Sequence, residues 1–381
     1  MQQRFDQNGW CVHITRPEAA KKFLLKTELF RKKDLKRLQH ERKGTLISKL
    51  ALGPNVLFLN GKEWKHHRMI ANPAFHRSMP IELFGHLVER LFKVMDASPD
   101  PVDFHDMMER WTLEAIGLAG FGFEFNSLED KDNEWVTLYN DSINGTRDPM
   151  FALFRKLDTW FRLLFPKRKR LHGEMDKFLN MMHGAGKEIE KAALTDEELR
   201  SNLCIFFVAG HDTTANALSF AAYYLAIHKD IQQKAREEAI RVLGDEPKDI
   251  LSDADQLHEM PYINMIIKEV LRMDGPAATV VIREATEDTD LSVQMNLILR
   301  RFAPGGEAEH NGMSWLPFSI GARQCIGMNF SLAEQRFLLP MLLRKYEWSL
   351  SENSAHKNKL LDKGFDVISP NVLEINFQKR Y

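Results

Sequence analysis

Apolar positions recur at helical spacing along most of the chain, and short alternating runs sit near its two ends. Trp10 to Ile14 alternates and carries β-branched residues, which predicts a short strand; Thr15, Pro17 and Glu18 then read as a helix start. Gly61 to Pro73 reads as a helix that stops near Asn72, because the residue before a proline avoids the α region. A core helix over Trp111 to Ile116 leads into the turn Phe121-Gly122-Phe123. Met175, Phe178, Leu179 and Met182 form a stripe of the kind that lines a core or a channel wall. Thr195 and Glu198 make a capping box that opens one long helix, reaching about His228. Pro261 to Met273 reads as a further helix, and another runs through Ala333, Arg336 and Leu339 to Tyr346 with a kink predicted at Pro340. Phe365 to Phe377 alternates as one or two strands.

Composition refines this picture without changing it. No stretch rich in Gly, Ser or Pro divides the 381 residues, so one domain over 1–381 is expected. A formal net charge of −1 argues against a nucleic-acid binder, and three widely spaced cysteines argue against a disulfide framework or a zinc site. Cys11 and Cys204 read as packing residues. The longest apolar runs, such as Ala217 to Ile227, fall short of a membrane span, and the first residues lack a charged-then-apolar signal pattern, so the chain as written reads as soluble. Arg31 to Lys43, dense in Lys and Arg, reads as a solvated loop or helix face. Phe151 to Arg170 turns from aromatic to abruptly basic; such a pattern suits a membrane surface, though a solvated helix end is the commoner case.

The chemistry concentrates in a few stretches. In Phe318-Ser319-Ile320-Gly321-Ala322-Arg323-Gln324-Cys325-Ile326-Gly327 one cysteine sits on a glycine-hinged loop that enters a helix. A helix N-terminus and the nearby Arg323 favour a thiolate there, able to hold a metal. Gly321 and Gly327 let a flat group approach the backbone, and Phe318 is placed to cover the sulfur. In Ala209-Gly210-His211-Asp212-Thr213-Thr214, Gly210 suits close approach of a ligand plane. Thr213 can turn its hydroxyl onto the Ala209 carbonyl, and Asp212 adds an acid. His211 is given no role as a ligand. Trp64 and Arg68, four apart, can address one acidic group together, whereas the adjacent His66 and His67 read as solvated. Glu269 and Arg272 lie three apart as an ion pair, of little weight on a surface and of much weight if buried.

Phe318, Gly321, Arg323, Cys325 and Gly327, at their spacing, resemble the haem-ligand signature of the cytochrome P450 family, and the other stretches resemble its further motifs. The resemblance runs from Trp10 to the end. It implies a mainly α fold with small β-sheets, the cytochrome P450 fold, here incomplete. It implies haem b with Cys325 as axial metal ligand, Trp64, Arg68, Arg283 and Arg323 on the propionates, and Asp212 and Thr213 relaying protons to dioxygen. Glu269, Arg272 and Arg301 would brace the thiolate side. The implied activity is a monooxygenase that inserts one oxygen atom into a small apolar substrate. NADPH would supply electrons through NADPH-cytochrome P450 reductase, with cytochrome b5 a second candidate donor and no nucleic acid involved. Lys62, Lys65, Arg323, Arg336, Arg344 and Lys345 would offer an acidic donor a positive face. The type resembled is anchored in the endoplasmic reticulum membrane.

Three departures accompany the resemblance. Met1 lies where family members are already under way, so the anchor helix and first strand are expected to be missing; Gly186 to Leu194 is short; and Leu291 to Arg301 stands where the family has a much longer stretch. A truncated or spliced product, binding haem without catalysis or folding poorly, is therefore one alternative. A thiolate-haem isomerase or dehydratase is the other, against which the Asp212-Thr213 pair argues.

Overall fold

A computed structural model describes residues 2–6, 9–14, 17–76, 79–148, 150–151, 154–185, 194–253, 255–277, 282–289, 315–363 and 367–381. Arg301, most of the short stretch after Gly186 and all of Leu291 to Arg301 lie outside them. Strands β1 (Gln2–Asp6) and β2 (Gly9–His13) form an antiparallel hairpin before helix α1 (Pro17–Leu25). There follow β3 (Phe30–Lys32), α2 (Leu35–Glu41), α3 (Leu46–Leu50), α4 (Gly61–His76), α5 (Ile81–Ala97), β4 (Val102–Asp103), α6 (Phe104–Ile116) and α7 (Glu134–Arg147). After α8 (Arg155–Thr159) come α9 (Pro166–Ala185), α10 (Asp196–Ile227), α11 (Lys229–Leu243), α12 (Pro261–Met273) and β5 (Arg283–Ala285). The chain closes with α13 (Met328–Lys345), β6 (Tyr346–Leu350), β7 (Asp362–Lys363), β8 (Ser369–Pro370) and β9 (Glu374–Lys379). The sheets are small and antiparallel: β3 with β5, β7 with β8, and β4-β9-β6.

α10 is the axis of the packing. Its start is fixed by the expected capping box, in which Thr195 Oγ1 accepts from Glu198 N while the Thr195 N–H donates to the Glu198 carboxylate. Its C-terminal half enters a core built with α5, α6, α12, α13 and the β4-β9-β6 sheet, centred on Phe84, Trp111, Phe220 and Phe337. Its N-terminal half enters a second core with α3, α7 and α9, around Tyr139, Met175, Phe178 and Phe207. Two aromatic-rich cores thus hold one helix along its length.

Several elements depart from their expected form. α4 continues through Pro73 to His76: the proline forgoes one backbone bond, and the helix resumes beyond it. α13, by contrast, runs through Pro340 as expected. The basic stretch after Arg31 splits into β3 and α2, and Lys32 turns inward. His67 is buried rather than solvated, with Nδ1 2.8 Å from Asn202 Nδ2 and Nε2 3.3 Å from Glu198 Oε1, so it ties α4 to the start of α10.

After α6 the chain makes a π-helical turn over Gly117–Phe121 and reverses at Gly122, whose φ of 63° is costly for a residue with a Cβ. Glu114, fully buried on α6, holds the returning segment by accepting from Phe125 N (3.1 Å), Ser127 N (2.7 Å) and Ser127 Oγ (2.8 Å). Glu114→Ala strands these donors without water. Urea unfolding is expected to show a loss of about 3 kcal/mol, against under ~0.5 kcal/mol for exposed Glu237→Ala.

Candidate functional site: a cysteine loop beside a cluster of cations

The loop before α13 is shaped by its backbone. Ser319 (φ 58°) and Gly321 (φ 72°) adopt left-handed conformations, and a short 3₁₀ turn spans Gly321–Arg323. At Gly321 a side chain would also meet Leu25 of α1, 2.7 Å from its Cδ2. The Cys325 N–H donates to Phe318 O at 2.9 Å, closing the loop. Gly327 has an ordinary φ of −87° and forms the N-cap of α13, so its role needs no left-handed backbone.

Cys325 differs from its expected state in two ways. Solvent reaches its side chain, yet it lies deep enough that burial raises the thiol above the usual cysteine value. A hydrogen bond from the Gly327 N–H and the charge of Arg68 oppose this without overcoming it. The nearby charge is thus Arg68, not Arg323. Arg323 turns away to stack over the Trp64 ring (3.9 Å to its centroid) and donates to Leu59 O at 2.8 Å.

Four cations converge beside this loop from separate elements. Trp64 and Arg68 lie on α4, the former buried, and Arg68 Nη1 donates to Gln324 O at 3.0 Å. Lys32 and Arg283 face each other across the β3–β5 pair, Arg283 with its guanidinium 5.3 Å from the Phe23 ring centroid. Like charges directly opposite on paired strands repel. Burial, and then Arg323, Arg283 and Arg68, push Lys32 down to about 7, where it donates to Leu57 O. Burial first, then Arg283 and Arg68, bring Arg323 down to about 10. Arg283 Nε and Arg323 Nη1 are buried without hydrogen-bond partners. A dianion placed here would satisfy the orphaned donors and offset the repulsion.

Lys32 was not legible as a site residue, since its basic neighbours read as a solvated run. Only the pairing with Arg283 turns it inward.

On α10 the expected acid and hydroxyl part company. Thr213 Oγ1 donates to Ala209 O at 2.7 Å and is half-buried. Asp212 is buried in the second core, where Tyr139 OH donates to its Oδ1 at 2.5 Å. His211 Nε2 lies 3.7 Å from that oxygen, and its Nδ1 is 2.9 Å from Thr112 Oγ1. Gly210 answers to packing: a Cβ there would sit 3.2 Å from Cδ1 of Ile116 on α6.

The remaining candidates scatter. Arg272 pairs with Glu269 through two bonds of 2.7 and 2.8 Å, but both side chains are about half exposed rather than buried. Phe318 packs on Trp315, whose indole N–H reaches Lys268 O. The positive face does not assemble as expected. Arg344 is buried, donating to the carbonyls of Gly244, Glu246 and Lys248, and Lys345 is buried between Asp96 and Asp249. Lys62 and Lys65 are exposed, while Arg336 is half-buried against Asn264. Among the described residues no helix is long and apolar enough to cross a membrane.

With this geometry in place, the chain belongs to the cytochrome P450 family, whose profile matches residues 9–184, 172–294 and 298–373. It is 27% identical over 369 residues to probable cytochrome P450 6a13 of Drosophila melanogaster, covering 82% of this chain and 73% of that protein. Over 370 residues it is 28% identical to bifunctional cytochrome P450/NADPH–P450 reductase 2 of Bacillus subtilis (strain 168), covering 83% of this chain and 34% of that one. Its fold is similar to the crystal structure of a cytochrome P450 (CYP102L1), with a TM-score of 0.75 at 19% identity over 99% of this chain and 94% of that one. Haem-thiolate oxidoreductase chemistry follows at the level of the family.

The cation cluster gives a pH test. Between pH 7 and 10.5 the unfolded chain keeps the Lys32 proton that the folded chain has released. Stability of the haem-free protein should therefore rise with pH across that window, by at most about 1.4 kcal/mol per pH unit. Denaturant unfolding at pH 7 and 9 should show the gain in the wild type and a flatter response in Lys32→Met.

Proposed function

We propose that this chain is itself a haem-thiolate monooxygenase, in which Cys325 would ligate the haem iron and Lys32, Arg68, Arg283 and Arg323 would hold the two haem propionates. The observation that carries this reading is the group of three guanidinium cations and the Lys32 amine, two of the guanidinium groups with orphaned buried nitrogens, beside a solvent-reachable cysteine. A flat metal complex with two carboxylates matches that donor set. When bound, haem b supplies activation of dioxygen, one atom of which enters an apolar substrate.

The chain's own residues divide the work. Arg68 lowers the cost of a negative charge on Cys325 Sγ. Trp64 shields the Arg323 guanidinium on one side and leaves its edge for an anion. Thr213, whose hydroxyl donates to Ala209 O, and Asp212, one residue away, would share the proton-transfer role. Arg301 would complete the brace with Glu269 and Arg272. Electrons would come from NADPH through NADPH-cytochrome P450 reductase, with cytochrome b5 as a further candidate, at the endoplasmic reticulum membrane. The fused NADPH–P450 reductase in the Bacillus subtilis relative supports a reductase as the donor.

The carbon monoxide difference spectrum of the dithionite-reduced protein, expressed with haem supply, tests this directly. A strongly red-shifted Soret band is expected and should vanish in Cys325→Ser. Arg283→Ala and Arg323→Ala should keep the band but lose haem to apomyoglobin about tenfold faster, each removing one charge-assisted contact. A band at the unshifted position, or no bound haem, would sink the reading.

A further inference from the structure

The proposed site uses Asp212 and Thr213 and gives their neighbour His211 nothing to do. Yet His211 is only 1% exposed, an ionisable ring where an apolar one would pack at less cost. It meets groups from three elements. On α7, the Tyr139 ring lies 4.7 Å away between centroids, tilted by 56°. On α10 itself, Asp212 Oδ1 is 3.7 Å from Nε2. On α6, Thr112 Oγ1 is 2.9 Å from Nδ1, and the Glu109 carboxylate is near enough to feel the charge of the ring.

Thr112 fixes the form of the ring. A threonine has one O–H to donate, and that of Thr112 reaches Met108 O at 2.8 Å, shared with Glu109 O at 3.2 Å. Towards His211 its oxygen is therefore the acceptor, so Nδ1 carries a proton and Nε2 is the nitrogen that can gain or lose one. Nε2 is also the nitrogen turned to Asp212. The surroundings favour the gain. Asp212 Oδ1 accepts from Tyr139 OH at 2.5 Å, as a carboxylate oxygen does. Burial would raise the Glu109 carboxyl, but the bond and charge of His105, then the charges of His211 and Lys363, hold it at about 2, so a second negative charge persists on the α6 side. His105 Nε2 lies 3.2 Å from Glu109 Oε1 and its Nδ1 3.2 Å from Ser219 Oγ, while Lys363 belongs to β7.

We infer that His211 stores the proton that Asp212 passes on: the imidazolium gives its Nε2 proton to the facing Asp212 oxygen, becomes a neutral Nδ1–H imidazole, and takes the next proton at the same nitrogen. One N–H bond breaks and one O–H bond forms, with no electron moved. The Thr112 bond keeps Nδ1 out of the exchange. His211 thus acts through Asp212 and is a positioning residue. Its use rests on the monooxygenase reading, but the state of the ring can be read without turnover.

The test is nitrogen NMR of the full chain carrying isotopically labelled histidine, as the diamagnetic ferrous carbon monoxide form if haem binds and haem-free if it does not. The His211 signals are identified by their loss in His211→Asn or His211→Gln. Nδ1 is expected to stay protonated while Nε2 takes up one proton as the pH falls from about 8 to 5. Nε2 protonated with Nδ1 bare, or a ring that does not titrate over that range, overturns the inference. Turnover gives a second readout. Asn sets an amide N–H where Nδ1 was, keeping the Thr112 bond but offering no proton at Nε2. His211→Asn should therefore slow product formation at least about tenfold, with hydrogen peroxide released instead. It should also abolish the limb of the pH profile whose midpoint matches the Nε2 titration of the wild type. An unchanged rate and profile in this variant overturns the inference as well. A missing haem spectrum sinks the monooxygenase reading alone, whereas the wrong tautomer sinks this inference alone.

Discussion

Burial of α10 is the constraint on which the rest of the structure depends. Twenty of its residues are buried, on every side of the helix, so it can be stable only inside the protein. Helices must therefore pack around it in two groups, one at each half. Where the groups meet, α6 approaches closely enough that a Cβ at Gly210 would press on Ile116 at 3.2 Å. A helix gripped in this way cannot slide or rotate without opening both cores, and residues 209–214 inherit that fixity.

The cysteine loop obeys the opposite economy. Lys32, Arg68, Arg283 and Arg323 are brought together by a strand pair, a helix and a loop whose own packing outweighs the repulsion among them. Leu57 O takes Lys32, Gln324 O takes Arg68, Leu59 O and the Trp64 face both take Arg323, and two guanidinium nitrogens are still left over. An anion bound there gains the repulsion that folding has already overcome. Binding and folding stability are then linked, because the anion favours only the chain that has gathered the charges.

Helix periodicity and caps were readable in the sequence because they are local. Thr195, Glu198 and Pro261 mark helix starts that the structure keeps. What could not be read was which member of a charged run faces inward. Lys167, Arg168, Lys169 and Arg170 are alike as a string, yet Asp158, from another helix, draws in Arg168 alone. Lys32 turns in because Arg283 pairs with its strand. Arg344 and Lys345 leave the expected positive face because carbonyls near Gly244 and the carboxylates of Asp96 and Asp249 claim them. His67 follows the same rule, its partners lying more than a hundred residues away on α10. The cysteine loop was legible because its residue types and spacing are themselves local, whereas the state of its thiol depends on surroundings that the string does not carry.

The separation of Asp212 from Thr213 narrows how protons could move in the proposed role. Successive residues on a helix point about 100° apart, so the carboxylate and the hydroxyl cannot share one face. The carboxylate lies among Tyr139 and His211, away from bulk water, and the hydroxyl is half-buried and tied to Ala209 O. A proton delivered at the hydroxyl must either cross that angle through a water molecule or wait for Asp212 to leave Tyr139. The second route opens the bond that now fixes the acid, so Tyr139 would set how often the carboxylate is available. Proton supply in this chain would then be governed by a contact inside the second core, while the group that receives the proton lies outside it.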